Sequence, residues 1–358
     1  MSGTGAAGAG GPGRRRRSGA TIEQVAREAG VSRQTVSNAL NAPERVRPET
    51  LDRVRAAIER LGYQPDQSAR SLRTGERRTL AYLAPVDDPH DPNPLMGGFL
   101  EALVDAAGAA GYRVLLFRPR PGAADPTAAV EELIAARQVD GFVLADVLPD
   151  DPRVRHLAAT GLPFVCFGRT GRGLPQGWVD IDNAAAMAAV AAHLAERGHR
   201  HVGYLGPVDD ADLPWLAERR AGFRDAAGRH GLELAVEQTE EETHAGLAVR
   251  ARALLRPSSS GGRRVTAIAA ATDLCALAAY EAVRGERLAV GADVAVVGFH
   301  DLPLCRVLQP PLSSVRLPLR RIAAELVDGL LAQVRGGDVP AEGVLLPAEL
   351  VVRASSGG

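Results

Sequence analysis

From residue 79 onward the chain alternates short apolar runs with helical stretches, and few architectures accept that rhythm. Apolar runs fall at 79–84, 113–117, 141–145 and 163–167, with helical periodicity over 95–110, 127–137 and 151–160 between them. A second series follows, with helical stretches at 183–197, 216–230, 243–255 and 274–284. Its strands are expected at 201–205, 233–237, 266–270 and 294–297. Strands that alternate with helices predict an α/β fold with parallel sheets covered on both faces. Two such halves of about 100–140 residues each fit the length. In sheets of this kind ligands bind beyond the carboxyl ends of the strands, here in the cleft between the halves.

The first part of the chain reads differently. Residues 1–19 are Gly/Ala-rich with a run of four arginines, 14–17, and are expected to form a disordered basic tail. Thr21-x-x-Gln24 is a capping-box pattern, followed by Ile22, Val25, Ala26 and Ala29 at helical spacing and by Gly30 as a stop. Ser32 caps a second helix, 33–40, that buries Val36 and Leu40. Pro48 opens a third, with Leu51, Val54, Ala57, Ile58 and Leu61 inward and Gly62 closing it. Two short helices joined by a tight turn, with a third as support, predict a helix-turn-helix head over residues 20–66. In such a module the start of the second helix reaches base edges in the major groove. Arg33, Gln34 and Asn38 are the base-reading candidates, since Arg pairs bidentately with guanine and Gln or Asn with adenine. Thr21, Ser32, Thr35, Ser37 and Asn41 are short polar side chains suited to phosphate contacts, which position without reading sequence.

Charge supports that division. The formal net charge is only −1, yet residues 1–78 hold fifteen arginines against eight acids, leaving a +7 head on a −8 remainder. A basic head on an acidic body points toward nucleic acid. Every basic residue besides histidine is arginine; lysine is absent. Cys166, Cys275 and Cys305 are odd in number and widely spaced, which predicts buried thiols and neither a disulfide framework nor a metal site. No apolar stretch follows the arginine run as a signal peptide requires, and no window reaches a membrane span, so a cytoplasmic protein is expected. His199 and His201 flank one residue of a strand and point to opposite faces, which argues against a shared ion. Nucleophile-elbow, Walker and zinc-protease patterns are absent, so no catalytic residue and no cofactor are expected.

The order of these features resembles one family. TIEQVAREAGVSRQTVSNALN and ETLDRVRAAIERLGYQP resemble the head of the lactose-repressor/galactose-repressor family of bacterial transcription regulators. Residues 69–75, ARSLRTG, are similar to that family's hinge helix, expected over 67–77. The resemblance implies that Ala69, Leu72 and Arg73 enter the minor groove, Leu72 as an apolar wedge that kinks the duplex. It continues through Asn93-Pro94, Val179-Asp180-Ile181-Asp182-Asn183, Arg219-x-x-Gly222-Phe223, Thr272-Asp273, Gly298-Phe299-His300-Asp301 and Pro311–Val315. From it follow the effector-binding candidates Asn93, Arg169, Arg219, Asp273 and His300, with Arg219 gripping hydroxyls or a carboxylate. Trp178 and Trp215 could stack on a sugar, although packing is the commoner role for both.

Three positions depart from the family pattern. Arg47 stands where relatives carry a capping Ser, at a cost of ~1 kcal/mol to the third helix's start. His300 replaces an acid that grips sugar hydroxyls, and Leu317 replaces a polar residue found in some relatives. Neutral, His300 accepts a hydrogen bond; as a cation it favours an anionic ligand.

The sequence therefore predicts a helix-turn-helix head, a hinge helix and a two-lobed periplasmic-binding-protein-like effector domain over 78–356. Its first lobe is placed at about 78–177 plus 317–339 and its second at about 178–316 plus 340–354. The expected function is a homodimeric repressor on a pseudo-palindromic double-stranded operator, controlled by a sugar or related metabolite. The rival is a solute receptor or enzyme on the same two-lobed fold without DNA recognition.

Overall fold

In the computed structural model, which describes residues 20–63, 76–84, 94–118, 125–171, 173–207, 213–239, 243–256, 264–338 and 343–357, the chain divides at Arg77 into two units. The head opens where its first cap stands. Thr21 Oγ1 accepts from Gln24 N at 3.4 Å while Gln24 Oε1 accepts from Thr21 N at 2.8 Å, starting α1 (Ile22–Ala29). Gly30 ends it in the left-handed region, φ +64°, where a side chain would be strained. Ser32 Oγ accepts from Thr35 N at 3.1 Å and starts α2 (Arg33–Asn41), a cap worth ~1 kcal/mol. Helix α3 (Pro48–Leu61) begins at Arg47 with no side-chain cap, as the departure from the family pattern predicts. Val25, Ala26, Ala29, Val36, Ala39, Val54 and Ala57 form the core of the three helices. Leu40, expected inside, is only half-buried, and Ala39 takes the inward position.

Among the described residues the body holds two six-stranded sheets. The first lobe contains β1 (Thr79–Leu83), β2 (Arg113–Phe117), β3 (Gly141–Leu144), β4 (Phe164–Phe167) and β5 (Gly177–Ile181). These are linked by α4 (Pro94–Ala109), α5 (Ala128–Ala136) and α6 (Pro152–Thr160). After α7 (Asn183–Glu196) the second lobe repeats the plan. Its strands are β6 (His201–Pro207), β7 (Glu233–Thr239), β8 (Ala267–Ala270), β9 (Ala295–His300) and β10 (Ser313–Arg316). Helices α8 (Pro214–Arg229), α9 (His244–Leu255) and α10 (Asp273–Gly285) connect them. The chain then returns through α11 (Leu319–Val334), β11 (Val344–Leu346) and β12 (Glu349–Val351).

Strand order is β11-β5-β4-β3-β1-β2 in the first sheet and β12-β10-β9-β8-β6-β7 in the second. Every neighbour is parallel except β12, which runs antiparallel to β10. Both sheets share one topology, so each has its switch point beside its first strand, where open α/β sheets bind ligands.

The lobe boundaries differ from those read in the sequence. Strand β5 pairs with β4 (Val165↔Gly177) and β11 pairs with β5 (Val344↔Val179), so residues 178–181 and 344–346 belong to the first lobe. Those strands need a parallel neighbour to satisfy their backbone groups, and β4's free edge supplies it. The chain thus crosses between lobes three times, after β5, after β10 and after β11. The three cysteines are buried, as expected.

Candidate functional site

The head presents one surface built by α2. Val36 and Ala39 turn inward, which leaves Arg33 and Gln34 exposed and Thr35, Ser37 and Asn38 half-buried along the other side. These side chains are not idle. Arg33 Nε lies 3.1 Å from Glu23 Oε1 on α1, and Gln34 Nε2 donates to Asn38 Oδ1 at 3.0 Å. Ser32 and Thr35 hydroxyls bond each other at 2.9 Å, and Thr21 is occupied by its capping role. Asn41 closes α2, and its side chain lies outside the described residues, as do Ala69, Leu72 and Arg73 of the expected hinge helix. Helix α2 therefore carries a polar edge whose groups are satisfied by neighbouring side chains.

The body presents an open cleft of about 630 Å³ between the lobes. Strand ends build it. Asp146 and Val147 follow β3, Gly168 and Arg169 follow β4, and His300 ends β9. Leu95 and Met96 from α4 and Leu317 before α11 make an apolar wall, and Pro214, Trp215 and Arg219 come from α8. Asp146 and His300 both adopt positive φ, +48° and +117°, a strained backbone at the place where side chains must be aimed.

Arg219 is the centre of the cleft floor. It is only 4% exposed, and its guanidinium lies between two rings, 3.6 Å from the Phe299 centroid and 4.6 Å from the Trp215 centroid. Nε donates to Asn183 Oδ1 at 2.9 Å, and Nη1 donates to the Ala271 carbonyl at 2.9 Å and to His300 Nε2 at 3.2 Å. Stacking and three hydrogen bonds fix a planar cation in one orientation. Burial pulls its pKa down to about 10. Burial, and then the neighbouring Arg219 charge, hold His300 well below the usual histidine range, so the imidazole is neutral.

A chain of hydrogen bonds runs from Arg219 to the other lobe. Asn183 Nδ2 donates to Glu218 Oε2 at 3.4 Å, and Arg169 Nη2 donates to Glu218 Oε1 at 2.5 Å. Arg169 Nε donates to Asp180 Oδ2 at 2.8 Å. Burial opposes the Arg169 charge, but the bond to Asp180 and the charges of Asp180 and Glu218 raise its pKa. The sequence assigns no functional role to Asn183 or Glu218: Asn183 stands in a motif of the resemblance, and for Glu218 only its place beside Arg219 is a signal.

Asp273 is a correction. It is fully buried and does not line the cleft: Oδ1 accepts from Ser314 Oγ at 2.6 Å and Oδ2 from Leu302 N at 2.8 Å. As the first residue of α10 it turns under β9, where the backbone of Gly298 leaves room for it. Burial raises its pKa to about 6, against the lowering effect of the Ser314 and Leu302 bonds. Behind the cleft it supports the turn that carries His300. Asp301, at φ +51°, donates its N–H to Ser314 Oγ at 3.0 Å and is held by Arg316 and Arg353. Asn93 lies outside the described residues. His199 lies before β6, which starts at His201, so the two are not the strand neighbours expected: His199 Nδ1 meets Thr266 Oγ1 at 2.9 Å, and His201 Nδ1 meets Glu233 at 2.9 Å. Trp215 lines the cleft, whereas Trp178 lies under Arg169, 5.4 Å from its ring centroid.

This arrangement is similar to known proteins along almost its whole length. Residues 21–66 match bacterial regulatory proteins of the lacI family, and residues 191–356 match a periplasmic binding protein-like domain. The HTH-type transcriptional regulator AglR of Rhizobium meliloti is 32% identical over 347 residues, 94% of each chain. The HTH-type transcriptional regulator CelR of Thermobifida fusca is 32% identical over 350 residues, 96% of this chain and 99% of the relative. Among solved structures, a lac repressor dimer bound to operator and the anti-inducer ONPF superposes with a TM-score of 0.76 at 25% identity. A complex of the regulator CelR with cellobiose superposes with a TM-score of 0.67 at 29% identity. Each covers 94% of this chain and 99% of the other.

Proposed function

The chain belongs to the lacI family of bacterial regulatory proteins, and from that premise we propose that it is a cytoplasmic, homodimeric repressor released from its operator by a small effector. The observation that carries the reading is the pairing, in one chain, of an exposed α2 edge with a cleft whose buried arginine is held in one orientation. Arg33, Gln34 and Asn38 read bases, while Thr21, Ser32, Thr35, Ser37 and Asn41 hold phosphates. One head covers a half-site, so a two-fold dimer requires a pseudo-palindrome with half-sites one helical turn or a multiple apart. Leu72, with Ala69 and Arg73, takes the minor groove at its centre.

Arg219 and His300 bind the effector, with Arg169 across the cleft and Asn93 as a further contact. The relative solved with cellobiose supports a sugar or related metabolite as the ligand class. Because the lobes are joined by three crossings and by the Arg169–Glu218 bridge, a ligand touching both lobes favours one lobe arrangement. Effector lowers operator affinity by the amount that it prefers the arrangement incompatible with DNA, and DNA lowers effector affinity reciprocally. The protein acts by binding, not by catalysis.

Fluorescence anisotropy of the full chain on DNA from its own upstream region tests this. A specific complex is expected whose affinity falls steeply with salt, since phosphate contacts release counterions. A metabolite that raises the melting temperature should also weaken the complex. A chain that binds such metabolites but forms no specific DNA complex would be a receptor instead.

A further inference from the structure

Within the cleft, the carboxylates of Asp180 and Glu218 are engaged while donors are left over. Both carboxylate oxygens of Asp180 are occupied, Oδ2 by Arg169 and Oδ1 by the Ile181 N–H at 2.8 Å. Glu218 is held by Arg169 and Asn183. Arg219, by contrast, has no carboxylate within ion-pair distance among the described residues; its partners are an amide oxygen, a carbonyl and a neutral imidazole. Its Nη2 has no hydrogen-bond partner among those residues. Because Nη1 donates to His300 Nε2, the ring proton sits on Nδ1, a second donor without a described acceptor. The buried indole N–H of Trp215 is a third. A buried cation without a counter-charge is costly, and the cost is relieved by an anion that hydrogen-bonds to it.

We infer that the effector carries an acidic group, a carboxylate on a small polyhydroxy compound, seated against Arg219 Nη2 and His300 Nδ1. This rests on the cleft being the effector site and deepens that reading by naming the ligand's charge. The sandwich of Phe299 and Trp215 fixes the guanidinium plane, so the acid meets a donor that needs no reordering. The rest of the molecule lies along the apolar wall of Leu95, Met96 and Leu317.

The test uses the full-length protein and matched pairs that differ in charge: D-gluconate against D-glucitol, and D-glucuronate against D-glucose. Calorimetric titrations run at pH 7.5 and constant ionic strength. The acid of a pair is expected to bind roughly ten- to hundredfold more tightly than its uncharged partner, the range of a charged hydrogen bond. Arg219→Gln should erase that preference. Since Arg219 also ties Asn183 to Ala271, a second variant leaves it in place. His300→Asp supplies the missing counter-charge and should abolish acid binding while sparing the melting temperature. Equal affinities within both pairs, or no binding by either acid, overturn the assignment. Acid binding that survives both Arg219→Gln and His300→Asp places the anion outside the cleft and removes the cleft reading itself.

Discussion

Arg169, which follows a strand of the first lobe, donates to Glu218, which sits on a helix of the second, at 2.5 Å from Nη2 to Oε1. The bond ties the two lobes across the mouth of the effector cleft. It is the first member of the chain that continues through Asn183 to Arg219 and His300, so the tie between the lobes and the cleft floor share side chains.

Glu218→Ala is expected to loosen that tie at little cost to the fold. Both partners are about one-third exposed, and Arg169 keeps Asp180, so the loss should be ~1 kcal/mol or less. The visible effect is on shape: small-angle scattering of the ligand-free protein should report a larger radius for the variant. An unchanged radius would mean that the crossings alone hold the lobes.

Gly298 is expected to be irreplaceable because of Asp273. A Cβ at Gly298 would collide with Asp273 Oδ1 and come 3.1 Å from Leu312 Cδ2. Gly298→Ala should cost ~2–4 kcal/mol, since a fully packed site cannot shift its buried acid. In an Asp273→Ala background the same change should cost much less, and a double-mutant cycle from denaturant unfolding measures the coupling. Additive losses would show that Leu312, not Asp273, excludes the methyl group.

Much of this was readable beforehand, where local chemistry decides. The Thr21–Gln24 box, the Ser32 cap and the strand–helix alternation are short-range signals, and they sit where expected. The return of the chain was not readable. Val344–Leu346 is three residues long and joins Val179–Ile181, more than 160 positions earlier, so only the tertiary arrangement creates that strand. Asp273 misled for a related reason. A helix's first residue can face the cleft or the sheet beneath it, and the choice was made by Gly298 and Ser314, which are distant in sequence. Glu218 needed the other lobe to acquire a role at all.

Arg33→Ala is expected to relax base preference at one operator position without destabilising the head. Arg33 is exposed, and its partner Glu23 is nearly half exposed, so their ion pair contributes little to stability. A lost bidentate contact to guanine costs ~1–3 kcal/mol of discrimination. Selection from a randomised operator library should show one position losing its preferred base. An unchanged profile would remove Arg33 from base reading and leave Gln34 and Asn38 as the readers.

Asp273 should leave a mark on the pH dependence of stability, and its direction follows from the sign of the shift. The folded state holds this proton up to about pH 6, whereas an ordinary aspartate releases it near 3.8. Between those values the folded state binds more protons than the unfolded one, so raising the pH removes stability. The change amounts to about 3 kcal/mol at most for a shift of this size. Asp301 and Asp151 act in the opposite sense: burial opposes their charge, but arginine bonds hold both below the ordinary value, so they lend stability that is lost on acidification. Net curves therefore mix both signs, and a comparison of slopes separates them. Denaturant unfolding of the wild type and of Asp273→Asn at pH 4.5 and 7.5 should show the variant gaining stability relative to wild type as the pH rises. Its absolute stability falls at both values, because an amide cannot accept both the Ser314 and the Leu302 bond. Parallel pH curves would mean that the Asp273 carboxylate stays ionised down to the ordinary range, with Ser314 and Leu302 outweighing its burial.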